Sequence, residues 1–319
     1  MNKCDVSICM ITYNQGKYIK NAIEGVLMQK TNFDFELIIG EDCSSDNTNS
    51  ICVEYVEKYP DKIRLISYSE NQGMIKNFIR VLEESKGRYI AFCEGDDYWI
   101  DPFKLQKQFD FLENNSSYGL IYTGVFIQEG EKRTFWEHRD ISDCFDELIV
   151  ENHIPTLSVC CRSSYVYDFL SLFKTRMDKW PFADFPLWLY ISSLSLIKYI
   201  PDMTGVYRIL SGSVSHPNDI HRQISFQREC CRVTFLMKEE LIPFKVSKYY
   251  KDNEYIFIKK YYSWMVSIGD CKLINKSLSF LFKEKYIMLL FKCILLLSFY
   301  KFPTLPIYIV RLKNVLRIA

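Results

Sequence analysis

Tyr89–Trp99 reads YIAFCEGDDYW, an apolar run that ends abruptly in Glu94-Gly95-Asp96-Asp97. A run this short and apolar, entered from Lys86-Gly87-Arg88, predicts a buried strand. Three carboxylates then crowd the strand's carboxyl end. Like charges held together cost free energy unless a cation or a raised pKa relieves them. In open α/β sheets, ligands bind beyond the carboxyl ends of the strands. The stretch has two readings, a metal site or a solvated acidic turn in which Gly95 supplies the bend. Its surroundings favour the first.

Upstream, Val6–Thr12 (VSICMIT) is a second buried strand, broken by Tyr13-Asn14-Gln15-Gly16. From Tyr18, the residues Ile19, Ala22, Ile23, Val26 and Leu27 recur at helical spacing. Phe35–Gly40 (FELIIG) is another strand and ends in Glu41-Asp42-Cys43-Ser44-Ser45-Asp46-Asn47-Thr48, with Ser45 and Asp46 placed to cap a helix from about Ser50. Ile63–Ser67 predicts a strand and Met74–Ser85 a helix. Strand and helix thus alternate three times before the central strand, which predicts a parallel sheet with right-handed crossovers. Polar or acidic loops follow strands one, two and four and describe one crevice.

Downstream, Asp101-Pro102 predicts a helix start with Asp101 as N-cap and Pro102 as N1. Gly119–Ile127 reads as a strand, residues 128–147 as loop, Thr156–Cys161 as a strand and Ser163–Phe173 as a helix. Lys174–Phe182 reads as loop, Asp184–Leu194 as a helix after Pro186, and Ile197–Ile200 and Thr204–Leu210 as two short strands. Beyond Ile220 strand signals fade and helices are expected. Tyr286–Tyr300 (YIMLLFKCILLLSFY) is too short, and too interrupted by Lys292, to span a bilayer. It reads either as a buried helix or as a helix on a membrane surface, followed by Pro303, Pro306 and a basic tail with Arg311, Lys313 and Arg317.

Composition sets outer limits. The chain has 319 residues and a net charge of +1, enough for one large domain with an appendage and no argument for nucleic acid. Its 12 cysteines include no C-x-x-C, and Cys160-Cys161 and Cys230-Cys231 are adjacent, which suits neither a zinc site nor a disulfide framework. Reduced thiols and a start that runs directly into a strand predict a cytoplasmic protein.

Four segments, VSICMITYN, ELIIGEDCSSDNT, ENQGMIKN and SKGRYIAFCEGDDYW, resemble, in order and spacing, the nucleotide-sugar-binding half of family 2 glycosyltransferases with the GT-A fold. The resemblance continues through Asp184-Phe185-Pro186-Leu187-Trp188 and Val206-Tyr207-Arg208, about two thirds of the chain. It implies an α/β, Rossmann-like, mostly parallel sheet flanked by helices. Residues 1–218 would form the GT-A domain, 1–100 binding the nucleotide sugar and 101–218 the acceptor. Residues 219–319 carry none of the resemblance and, from their own pattern, would form a helical extension that is either buried or lies on a membrane surface.

The resemblance also assigns roles. Thr12, Tyr13 and Asn14 match the loop that holds the base, with Tyr13 stacking on uracil, and Asp42 the acid that accepts the base's ring N–H. Lys76 would either meet phosphate or stand as a solvated helix lysine, with Asn77 beside it. Glu94-Gly95-Asp96 stands where the family has Asp-x-Asp. Asp96 would ligate Mg²⁺ or Mn²⁺, while Glu94, in place of an Asp, would ligate the same ion or hold ribose or water. Arg208 and the Ser211–Ser215 segment match the loop that closes over the diphosphate. Leu210 stands where relatives carry a histidine, and His216 reads either as a substitute or as a surface histidine. Asp184 holds the family's position for the general base, with Asp178 as the fallback and Thr156 and Arg162 facing the acceptor. The implied activity is inverting transfer from a nucleotide sugar, UDP-sugar by default, to a glycan or lipid-linked hydroxyl. Bacterial surface polysaccharide (capsule or the O-antigen of lipopolysaccharide), made at the inner face of the plasma membrane, is the implied setting.

Other classes predict other residues. A nucleotidyltransferase needs a glycine-rich phosphate loop after strand one and a Rossmann dehydrogenase G-x-G-x-x-G there; Thr12-Tyr13-Asn14-Gln15 is neither. A non-catalytic sugar-nucleotide-binding relative predicts loss of the acids, and Asp42, Asp96 and Asp184 are all present.

Overall fold

The computed structural model describes residues 4–136, 145–211, 213, 219–241 and 251–301. His216, the prolines at 303 and 306 and the basic tail lie outside the described residues. The chain divides into two compact units, Met1–Lys248 and Tyr249–Ala319.

The first unit is built on β1 (Val6–Thr12), whose residues are nearly all buried because strands pair with it on both sides. β2 (Phe35–Glu41) lies parallel on one side of β1 and β3 (Ile63–Ser67) parallel beyond β2. β4 (Tyr89–Phe92) lies parallel on the other side of β1. The chain therefore leaves β1 in one direction and returns on the other, and this reversal opens a crevice at the carboxyl ends of β1 and β4. The crossovers are α1 (Ile19–Leu27), α2 (Thr48–Lys58) and α3 (Met74–Glu84).

Beyond β4 the sheet is mixed. β8 (Cys160–Arg162) runs antiparallel to β4 and to β6 (Tyr118–Glu129), β9 (Leu196–Arg208) is parallel to β6, and β5 (Tyr98–Trp99) is antiparallel to β9. Several expectations need correction here. The two short strands at 197–210 are one strand, in which the register against β6 jumps between Ile200 and Met203. Pro201, which has no N–H to give a ladder, sits in that irregularity. Residues 128–147 are not all loop: β7 (Lys132–Phe135) hairpins onto β6 and α5 (Phe145–Leu148) follows. β7 is exposed throughout, so no apolar alternation marks it.

Thr156–Ser158 is a 3-10 turn, and so is Lys174–Lys179. α4 spans Lys104–Asn114 with Phe103 as N-cap. Asp101 instead accepts the Phe103 amide at 2.8 Å and the Lys107 ammonium at 2.9 Å, which closes a turn before the helix. α6 (Ser163–Phe173) and α7 (Asp184–Leu194) pack on each other, and α7 packs on β6. α8 (Ile220–Leu241), beyond the boundary expected at residue 218, packs on α7 within the first unit.

Lys104 is fully buried on α4. Its ammonium lies 4.2 Å from the centre of the Trp99 ring and donates to Gln108 Oε1 at 2.7 Å. Gln108 Nε2 in turn donates to the Ser158 carbonyl at 2.8 Å, and Trp99 Nε1 to the Leu157 carbonyl at 2.8 Å. Burial lowers Lys104 from its usual 10.5 to about 8. The charged form is therefore penalised in the folded state, by roughly 3 kcal/mol below pH 8. The penalty fades as pH rises from about 8 to 10.5, where the unfolded chain binds the extra proton. Lys104→Met, compared with the parent in urea melts, should be relatively most stable near pH 7 and lose that advantage by pH 10. A difference independent of pH would mean that Lys104 titrates normally.

Candidate active site

The acidic turn after β4 lies across the end of β1: the Gly95 amide donates to the Ile11 carbonyl at 3.1 Å. Only glycine fits there. A Cβ at Gly95 would stand 2.6 Å from Thr12 Oγ1 and 2.5 Å from Gln15 Oε1. Thr12, itself buried, donates its hydroxyl to Gln15 Oε1 at 2.8 Å.

The loops after β1 and β2 are locked together. Asn14 and Cys43 both adopt left-handed backbone, with φ of 54° and 59°. The Asn14 amide donates to Ser44 Oγ at 2.9 Å, and Asn14 Oδ1 accepts the Ser45 amide at 2.8 Å. Gln15 and Gly16 amides reach Thr48 Oγ1 and Asp46 Oδ2. Asp46 thus ties the two loops, and its other oxygen takes the Thr48 amide at 2.9 Å. Tyr13 stays 47% exposed at the mouth of the crevice, where a flat ligand ring can reach it.

Asp42 is buried, and its carboxylate accepts the amides of Gln72 at 2.7 Å and Gly73 at 2.9 Å. It fixes the loop before α3, and each oxygen keeps a second lone pair for a ligand. For Glu41 the sequence offers only its place before Asp42. It is fully buried, with one oxygen on the Ser44 amide and Oε2 without a hydrogen-bond partner. Asn77 serves the frame, donating to the Gly40 carbonyl at 2.8 Å. Lys76 is exposed and lines a cleft of about 390 Å³ with Tyr68, Gln72, Arg80, Lys174 and Asp178.

The acids converge elsewhere. Burial, then the charges of Asp184 and Asp96, raise Glu94 to about 8. Burial also raises Asp96 and Asp184, and burial followed by the charges of Asp96 and Glu94 pushes Asp97 well above the usual carboxylate range. Asp184 is the first residue of α7, two residues ahead of the expected start, so that Pro186 falls in the first turn, where its missing N–H costs nothing. The Asp184 carboxylate accepts the Thr156 hydroxyl at 2.6 Å, and Thr156 also reaches Glu94. Asp178, on the other cleft, is not part of this group.

Arg162 does not face the site. It pairs with Tyr89 at the amino end of β4, the opposite edge of the sheet. Its guanidinium donates to the carbonyls of Tyr118 at 2.9 Å and Leu112 at 2.6 Å, so it serves the junction of α4 and β6. Arg208 does reach the acidic turn: Nη1 donates to the Asp96 carbonyl at 2.5 Å, and its amide to Asp97 Oδ1 at 2.8 Å. Its guanidinium lies 4.2 Å from the Tyr98 ring and 5.1 Å from that of Tyr18. Neither tyrosine carried a sequence signal, since aromatic residues are common throughout this chain. Trp188 is core, fully buried and edge-on to Phe92 at 5.3 Å.

The donor set fits a hard divalent cation. Glu94 Oε2 is buried without a hydrogen-bond partner beside Asp96, and oxygen donors suit Mg²⁺ or Mn²⁺. Among the described residues no three His, Cys, Asp or Glu side chains form a group that could by itself hold a metal ion, so the protein alone offers no closed cage.

The sequence model described as Glycosyl transferase family 2 matches residues 7–181. An uncharacterized protein of Mycobacterium tuberculosis is 39% identical over 169 residues, 51% of this chain; the match spans about half (48%) of that relative's own length. TuaG of Bacillus subtilis, a putative teichuronic acid biosynthesis glycosyltransferase, is 28% identical over 213 residues, 66% of this chain and 81% of its own. Among solved structures, S. aureus TarS 1–349 in complex with UDP-GlcNAc superposes with a TM-score of 0.59 at 17% identity, over 82% of this chain and 73% of that one. A mannosyltransferase from Pyrobaculum calidifontis with GDP-Man and Mn²⁺ superposes with a TM-score of 0.52 at 11% identity, over 92% and 85%. The structural likenesses establish the GT-A fold, and the matched family model shows that the chain belongs to glycosyl transferase family 2.

Proposed function

We propose that this protein is an inverting glycosyltransferase that moves a sugar from a nucleoside diphosphate, UDP by preference, to a hydroxyl of a glycan or lipid-linked acceptor. Surface polysaccharide synthesis at the cytoplasmic face of the membrane is the setting. The observation that carries this reading is the meeting of Asp184, Thr156, Glu94 and Asp96 at the carboxyl ends of β1 and β4.

Thr12, Tyr13, Asn14 and Asp42 bind the nucleoside at the locked lip of the crevice, and Tyr13 stacks on the base. Gly95 lets the acidic turn approach that lip. Arg208 meets the diphosphate beside the acidic turn. The acceptor hydroxyl attacks the anomeric carbon from the face opposite the diphosphate, through a transition state of oxocarbenium character. Asp184 takes the hydroxyl proton as the new C–O bond forms, and the bond from the anomeric carbon to the diphosphate oxygen breaks. Burial suits Asp184 to this task, because a raised pKa makes a stronger base. Thr156 aims the carboxylate through its hydrogen bond. Asp96 and Glu94 would hold Mg²⁺ or Mn²⁺, with phosphate and water completing the shell. When bound, the ion offsets the charge gathering on the departing diphosphate.

Calorimetry and thermal shifts with UDP, GDP, dTDP and CMP, each with and without Mn²⁺, test the reading. UDP binding that depends on Mn²⁺, is lost in Asp96→Ala and survives in Asp184→Ala is expected. Glu94 adds a pH signature. Its folded pKa of about 8 lies above the usual 4.5, so its contribution to stability is whole at low pH and lost as pH rises through about 8. Mn²⁺ binding requires the deprotonated form, so it should tighten, and stabilise the protein more, at pH 8 than at pH 6. Folded protein that binds none of the four nucleotides would point to a non-catalytic relative.

A further inference from the structure

The charge of this chain is unevenly spread. Residues 249–319 carry twelve Lys and Arg against four Asp and Glu, a net of +8 in a chain whose total is +1. Within this unit α9 (Lys251–Ile268), α10 (Cys271–Lys283) and α11 (Ile287–Lys301) pack on one another. Tyr286 seats the start of α11, its ring 4.5 Å from Tyr255 and 6.0 Å from Phe280.

One side of α11 faces inward through the buried Cys293. The other is apolar and open: Ile287, Met288 and Phe291 are 70%, 63% and 55% exposed. At 3.6 residues per turn these three fall within an arc of roughly 100°. Phe282, at the end of α10, is 76% exposed, and the exposed Lys283 and Lys285 follow it. Large apolar side chains clustered on a surface mark an interaction site, where single ones would not.

The length and charge of this surface select its partner. No helix among the described residues is long and apolar enough to cross a membrane. The fifteen residues of α11 reach about 22 Å, short of the roughly 30 Å hydrocarbon core. A second copy of the unit would bring one net charge of +8 near another, which repel. An anionic bilayer matches both features, since durable surface binding combines an apolar insertion with a basic patch. We propose that the C-terminal unit docks on an anionic lipid surface. Phe282, Ile287, Met288 and Phe291 enter the headgroup layer, and the surrounding lysines meet the lipid phosphates. The contact is independent of the chemistry assigned to the first unit.

Flotation of the full chain with vesicles of phosphatidylcholine alone, and of an equimolar mixture with phosphatidylglycerol, tests this. The protein should float with the mixed vesicles, remain behind with the neutral ones, and detach at high salt. The double variant Ile287→Asn, Phe291→Asn alters only exposed side chains. It should lose at least about tenfold in partitioning, the ratio that ~1.4 kcal/mol of apolar burial gives, with its melting temperature and nucleotide binding unchanged. The proposal is overturned by no flotation, by equal flotation with neutral vesicles, or by flotation that the double variant does not weaken. Light scattering that shows a dimer broken by the same variant would also overturn it, in favour of a second copy on this face.

Discussion

Asp184→Asn should slow sugar transfer by a factor on the order of 10³ while leaving donor binding intact. A positioned general base contributes roughly 10² to 10⁴ in rate, and asparagine cannot take the acceptor's proton. Its amide oxygen still accepts the Thr156 hydroxyl, so the start of α7 should keep its place. The substitution also removes a negative charge that holds Glu94 up, so Mn²⁺ binding should not weaken. Steady-state kinetics should show kcat falling with KM for the donor nearly unchanged. If Asp184→Asn turns over normally, Asp184 is not the base.

The second large effect is structural. Gly87→Ala should lower the melting temperature by at least about 10 °C, or abolish folding. A Cβ at Gly87 would stand 2.4 Å from the Ser7 backbone nitrogen and 2.8 Å from the Val6 carbonyl carbon. Backbone at the start of the central strand cannot step aside as a flexible side chain would. Ser7 Oγ accepts the amides of both Lys86 and Gly87, at 3.0 and 2.9 Å, so the turn is seated on β1 from two sides. Overpacking costs about 1–3 kcal/mol where side chains can adjust, and more where they cannot. At roughly 2–4 °C per kcal/mol in a domain of this size, about 5 kcal/mol gives the stated shift across that range. A near-normal melt would show that β4 can move away from β1.

The parts of this fold governed by local pattern were legible in the sequence. Val6–Thr12 and Ser163–Phe173 occupy the bounds expected of them, because apolar runs and helical spacing mark such elements directly. The acids of the site were legible because Glu94, Asp96 and Asp42 end buried strands, where an exposed loop acid has no need to be. What escaped depends on distant partners. β7 has no buried face, and the irregularity in β9 exists only against β6. Arg162 looked available because its type suits a site. Only the pairing of β8 with β4 turns it toward the far edge and onto two carbonyls. Lys104, buried on Trp99 and Gln108, gave no signal, since lysine on a helix is ordinarily solvated.

The two bonds from Arg208 to Asp96 and Asp97 span 112 and 111 residues. They set a schedule for biosynthesis. When the ribosome has delivered the acidic turn, the strand that fixes its shape has yet to be made, and closing so long a loop is slow. Domains fold as units while the chain emerges, amino end first. The four parallel strands can therefore assemble early, but three crowded carboxylates must await Arg208 before they take their final positions. A nascent chain thus carries its most repulsive feature uncompensated for over a hundred residues of synthesis, and the turn's competence to hold a ligand is acquired late.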